Sequence, residues 1–123
     1  MDAKQVVARL KKDYPGKRII RLCEGRSQEI ICEIQPTSEH PAYSVAIAVV
    51  DRSLLHFHLE SQELYEVMQG TLRLYCNQKM VLLHPGDTHL VEPGVHHFAT
   101  GRETWVRVTS SPGWKQEDHY IVE

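Results

Sequence analysis

From Arg18 almost to its end, this chain alternates apolar and polar residues with a period of two, in runs too short for helices and separated by turn residues. That pattern predicts strands at Arg18–Cys23, Glu29–Ile34, Tyr43–Val50, Leu54–His58, Leu64–Gln69, Thr71–Cys76, Met80–Leu83, Thr88–Val91, His97–Ala99 and Trp105–Ser110. Gly25, Pro36, Pro41, Asn77, Pro85-Gly86, Pro93-Gly94 and Gly101 punctuate them. Ahead of the first strand, Asp2 is placed to cap a helix over Ala3–Lys12. Its apolar positions are Val6, Val7 and Leu10, and Pro15-Gly16 stops it. The expectation is an all-β fold with one short N-terminal helix, and strand spacing alone does not separate a jelly roll from other sandwiches or barrels.

Composition narrows the function classes. A chain of 123 residues predicts one domain over 1–123 with its own core. Its 14 Lys and Arg against 16 Asp and Glu, a net charge of -2, form no run of one sign, so no nucleic-acid partner is expected. No apolar stretch is long enough to span a bilayer, so no membrane partner is expected either. Cys23, Cys32 and Cys76 are odd in number and lack Cys-x2-Cys spacing, which predicts buried, reduced thiols in a cytoplasmic protein.

The residues that carry chemistry sit between His56 and Gly70. In a strand, His56 and His58 project from the same face, and Glu63 opens the next run where its carboxylate returns to that side. A lone His-x-His is expected by chance roughly 0.5 times in a chain with this much histidine, but adding Glu63 and Gly70 at fixed offsets lowers that to below about 0.01. Two imidazoles and a carboxylate on one face are a set that holds a metal ion.

A second stretch, Gly86-x7-Gly94-x2-His97, follows after a short spacer. Together, His56-x-His58-x4-Glu63-x6-Gly70 and this stretch resemble the paired motifs of the cupin superfamily, in the form found in small single-domain bacterial metallo-cupins, with the motif core over about residues 50–101. The pattern departs at Val50, Glu92 and Gly101, none of which is a ligand position. The resemblance implies a double-stranded β-helix, or jelly-roll, barrel. It also implies a metal held by His56, His58, Glu63 and His97. One divalent transition metal is expected, Mn, Fe, Ni, Co, Cu or Zn, because the set contains no thiolate. Six-coordination would leave positions open for water, oxygen or a bidentate substrate, whereas a tetrahedral site would be closed and structural.

Tyr65 shares parity with Glu63 and is the candidate catalytic residue, with a core aromatic as the alternative. Arg107 is expected on the outer face and His96 on the face opposite His97. His40, His84 and His89 read as solvated loop residues. The tail from Pro112 to Glu123 reads as loose, the alternative being that Trp114 and His119 fold back over the barrel mouth. Two function classes follow. The first is a metal-dependent enzyme on a small polar metabolite, a sugar or a keto or hydroxy acid, of isomerase, dioxygenase or decarboxylase type. The second is a non-catalytic small-molecule binding or sensor protein. The length leaves little room for an appended domain, which favours the enzyme. A homodimer is expected, since small cupins pair through their sheets and the first strands would otherwise expose unpaired edges.

Overall fold

The computed structural model describes residues 1–123. Helix α1 (Ala3–Asp13) precedes β1 (Arg18–Leu22), β2 (Gln28–Gln35), β3 (Ser44–Arg52), β4 (His56–Phe57), β5 (Gln62–Gln69), β6 (Leu72–Cys76), β7 (Lys79–Leu83), β8 (Thr88–Val91), β9 (His97–Ser111) and β10 (Tyr120–Ile121). The helix begins where its cap predicts. The Asp2 side chain accepts the Gln5 N–H at 3.2 Å, and Lys11 and Lys12 lie in the last turn, facing the negative end of the helix dipole.

Strand β9 organises the barrel. Its first part, His97 to Gly101, pairs with β6 and meets β4 at His56, while its second part, from Thr104 on, lies between β3 and β5. Between the two parts Glu103 takes a φ of 46°, and its N–H donates to the Asp51 carboxylate at 2.7 Å. The neighbouring strands shift register beside this bend, β3 between Val50 and Arg52 and β5 between Val67 and Gln69. One strand thus serves both halves of a curled sheet, which is the double-stranded β-helix architecture.

Here the structure corrects the expected break at Gly101, which bends a continuous strand where two were predicted. A Cβ at Gly101 would lie 2.5 Å from Thr104 Oγ1 and 3.1 Å from the Thr71 carbonyl, and Thr104 Oγ1 itself donates to that carbonyl at 2.8 Å. Gly101→Ala is therefore expected to destabilise the fold by about 1–3 kcal/mol through overpacking. An unchanged urea midpoint would contradict this account of the bend.

Alternation along the strands builds two apolar layers. Ala48, Val50, Tyr65, Val67, Leu72, Leu74, Val91 and Val106 fill the barrel, with Ile31 against them. The opposite faces of β2, β3 and β9 present Ile30, Cys32, Ile47, Val49 and Trp105 to Val6 and Leu10 of α1. Arg9 of the helix lays its guanidinium 4.1 Å from the Trp105 ring. Of the cysteines, Cys32 is buried and Cys76 half-buried, but Cys23 is exposed, contrary to expectation, because β1 ends at Leu22 and Cys23 falls in the turn. No helix is long and apolar enough to cross a membrane.

The tail provides the second correction: residues after Pro112 pack onto the barrel. The Trp114 N–H donates to Ser44 Oγ at 2.9 Å, Thr37 Oγ1–H donates to the Trp114 carbonyl at 2.6 Å, and β10 pairs with β4 at Phe57 and His56. These backbone groups find partners, which is why the segment is held where the sequence pattern predicted a loose end.

Candidate metal centre

The four residues expected to hold a metal lie on three neighbouring strands and the loop between two of them. His56 opens β4 and pairs directly with His97, the first residue of β9; His58 follows β4; Glu63 is the second residue of β5. All four are buried, His97 completely. One ligand atom from each lies within 4.8 Å of the others.

Hydrogen bonding fixes which atoms converge. Nδ1 of His56 donates to the Leu54 carbonyl at 2.7 Å, Nδ1 of His58 to the Asp118 carbonyl at 2.9 Å, and Nδ1 of His97 to the Val95 carbonyl at 2.9 Å. A carbonyl only accepts, so each Nδ1 carries the hydrogen and each Nε2 of the neutral ring keeps its lone pair for the centre. This is the outer arrangement that orients histidine ligands around a metal. Nε2 of His97 lies 2.9 Å and Nε2 of His58 3.1 Å from the same oxygen, Glu63 Oε1. The His58 contact is not aligned as a hydrogen bond, and that Nε2 is a buried nitrogen without a partner. Ser110, opposite Glu63 on β9, turns its hydroxyl to the other carboxylate oxygen at 3.4 Å.

With neutral imidazoles the centre is a set of acceptors in a buried space, and acceptors so close require a cation between them. A proton supplies it in part. Burial opposes ionisation of Glu63, but the close contacts and charges of His58 and His97 outweigh it and hold the carboxyl well below its usual range. At His58 burial likewise disfavours the charged form, and the Glu63 contact reverses the balance and raises the pKa. His56 is pushed down to about 3, by burial first and then by the neighbouring His97, so it stays neutral and free to ligate. The donor set, the fixed tautomers and the unpartnered His58 Nε2 all fit a divalent transition metal.

Other expected residues fall as follows. Tyr65 is buried on the inner face with its ring edge toward His97, centroids 6.1 Å apart. Burial, then the charge of Glu63, raises its pKa well above the usual value, so the phenol keeps its proton. Arg107 is exposed and 3.5 Å from Glu66 on the outer face. His96 is exposed, stacked on Phe57 at 4.6 Å and away from the centre. His84 is exposed as expected. His89 lies in the strand expected over Thr88–Val91, opposite Tyr65, and is half-buried where it was expected to be solvated, with the parity of core residue Val91.

Sequence reasoning missed the role of the tail. Asp118 is buried, and its carboxylate accepts the backbone N–H groups of Leu59, Glu60 and Ser61 at 2.9 to 3.1 Å while its carbonyl orients His58. His119 stacks on His56 with centroids 4.7 Å apart, and its Nδ1 accepts the Trp114 indole N–H at 3.2 Å. The signal available was Trp114, a large ring that needs cover; nothing in the spacing of Asp118 marked it.

No sequence-family model matches the chain, and no curated protein matches it. Solved structures do. The Streptomyces nucleoside dehydratase Pac13, also solved with uridine, aligns with a TM-score of 0.77 at 18% identity, covering 89% of this chain and 88% of that one. The polyketide cyclase RemF of Streptomyces resistomycificus aligns with a TM-score of 0.68 at 15% identity, over 89% of this chain and 82% of its own. An RmlC-like cupin from Shewanella frigidimarina aligns with a TM-score of 0.66 at 16% identity, over 83% and 88%. Paired strands, a curled barrel and these neighbours agree with the motif resemblance: the chain has a double-stranded β-helix fold like that of the cupins it aligns with.

Proposed function

We propose that this protein is a metal-dependent enzyme acting on a small polar metabolite, a sugar or a keto or hydroxy acid, by isomerase, lyase or oxygenase chemistry. The observation that carries the reading is the convergence of three oriented Nε2 atoms and Glu63 Oε1 among four buried residues, with His58 Nε2 left without an aligned hydrogen bond. These residues would hold one divalent ion, Mn, Fe, Co, Ni, Cu or Zn. Such an ion would supply Lewis acidity toward an oxygen of the substrate. The Nδ1 hydrogen bonds keep the three rings in place, and Ser110 keeps Glu63 from turning. Tyr65, neutral and beside the cluster, is positioned to offer a hydroxyl to a ligand oxygen. That two structural neighbours are a nucleoside dehydratase and a polyketide cyclase supports a catalytic role in a barrel of this shape.

The test is metal analysis of protein purified without added metal. Metal-loaded protein is then incubated with hydroxy acids, keto acids and sugars, with and without air, and followed by NMR. One or more compounds are expected to be consumed; compounds that bind tightly and return unchanged in every condition would make the protein a sensor. Glu63→Gln is expected to keep part of the metal affinity and change turnover, since the amide still offers an oxygen but no charge, whereas His58→Ala loses both.

The reading includes a homodimer. β1 is hydrogen-bonded on one side only, to β2, and Leu22 at its end is exposed, so a second copy would satisfy an open strand edge. Light scattering at micromolar concentration is expected to give twice the mass of 14.2 kDa; a monomer mass would remove the dimer.

A further inference from the structure

His119 stands against the metal cluster without belonging to it. Its ring stacks on His56 with centroids 4.7 Å apart and planes 26° from parallel, and its centroid lies 5.3 Å from that of His58. Both chain neighbours hold it there. Asp118 accepts the backbone N–H groups of Leu59, Glu60 and Ser61, and Tyr120 pairs with Phe57 across β10 and β4. Backbone anchored on each side positions the ring, which is how a side chain on a terminal segment comes to have a fixed place beside a site.

The tautomer of His119 is fixed as well. An indole nitrogen only donates, so the Trp114 Nε1–H at 3.2 Å makes His119 Nδ1 the acceptor and leaves the hydrogen of the neutral ring on Nε2. This is the reverse of His56, His58 and His97, whose Nδ1 atoms donate to carbonyls and whose Nε2 lone pairs serve the centre. His119 therefore offers a donor where the other three offer acceptors. No group of the protein takes that Nε2–H. It is not sealed in either: His58 Nε2 is the one fully buried side-chain nitrogen or oxygen without a partner, so the unpartnered His119 Nε2 is open to solvent. A half-buried ring, stacked on a buried histidine and open to solvent at one nitrogen, lies at the boundary between the cluster and bulk water.

We propose that His119 is a ligand-binding residue of the centre, donating its Nε2–H to an oxygen of a small molecule held at the His56, His58, Glu63 and His97 cluster. The inference rests on the metal reading above and adds a requirement on the ligand. Beside the oxygen that reaches the cluster, it carries a second oxygen with a free lone pair, as carboxylates and keto or hydroxy acids do. Because Trp114 fixes the donor, an N–H or ammonium group in that place would meet another N–H and be rejected.

Zinc and oxalate are the probes. Protein labelled with 15N-histidine is followed by long-range 1H–15N NMR in the metal-free form, with zinc, and with zinc and oxalate. His119→Phe and His119→Gln assign the resonances, and Trp114→Phe, which removes the Nδ1 donor, assigns them if neither folds. His119 Nε2 is expected to keep its hydrogen when zinc is added and to shift when oxalate follows. Calorimetry on the two variants separates donor from ring. His119→Phe keeps a ring to stack on His56 but has no donor, and its oxalate affinity is expected to fall about tenfold or more, the worth of a hydrogen bond to a charged acceptor. His119→Gln restores an N–H without the ring and is expected to bind oxalate more tightly than His119→Phe. Any other order overturns the inference; phenylalanine binding as the parent does would make His119 a cover for His56. Loss of the Nε2 hydrogen on zinc loading would make it a fifth metal ligand and overturn the inference too, as would an Nε2 resonance that oxalate leaves unmoved. Each of these leaves the metal reading intact. Failure of zinc to bind the parent overturns that reading and this inference with it, and failure of oxalate to bind the zinc-loaded parent overturns the open site on which both depend.

Discussion

His58→Ala and His97→Ala are each expected to lose divalent-metal affinity by more than the roughly 10- to 100-fold that follows loss of an outer-shell partner. Each removes one of four converging ligand atoms and leaves Glu63 facing fewer nitrogens. Titration calorimetry with zinc and elemental analysis read the effect directly, and affinity equal to the parent's would remove the site. The parent's affinity should depend on pH in a defined direction. Metal displaces the proton that His58 holds beside Glu63, so affinity falls as pH drops through the raised pKa of His58, by about tenfold per pH unit for one proton. His56, at about 3, takes no part in this.

The metal-free fold responds in the opposite sense. His58 has a folded pKa above its unfolded value, so its contribution to stability is fully present below about pH 6.5 and is lost as pH rises through the folded value. Glu63, whose folded pKa is depressed, contributes above its unfolded value of about 4.3, and that contribution is lost as pH falls through the folded one. Stabilisation by added metal should therefore be larger at pH 8 than at pH 6. Thermal melts with and without zinc at the two values check the sign.

Asp118→Ala is expected to cost about 2–4 kcal/mol of stability and roughly tenfold in metal affinity. The first figure reflects the buried backbone N–H of Ser61 and the part-buried ones of Leu59 and Glu60, which lose a charged acceptor. The second reflects the loop that carries His58 loosening around it, along with the carbonyl that orients its Nδ1. Burial works against the Asp118 charge, but the three N–H donors prevail and lower its pKa. Its stabilisation is accordingly present above its unfolded value of about 3.9 and lost as pH falls through the folded one. Urea unfolding at pH 7 and zinc calorimetry separate the two effects. Asp118→Asn should retain the shape with weaker, uncharged acceptance and fall between the parent and alanine.

The local pattern of this chain determined most of its elements. Asp2 and Pro15-Gly16 bounded the helix to within a residue, because capping and chain-breaking act over neighbouring positions. Period-two alternation located the strands for the same reason, and the fixed offsets of His56, His58 and Glu63 carried their shared face, since side chains on a strand alternate whatever the strand packs against. Non-local matters escaped it. Gly101 looks like any turn glycine, and only the packing of Thr104 against it shows a strand bending from one half of the barrel to the other. His89 read as solvated although a strand was expected over Thr88–Val91, and only pairing with Tyr65 shows it half-buried. Asp118 sits 60 residues from His58, and no local periodicity reports a contact between a tail and a loop so distant.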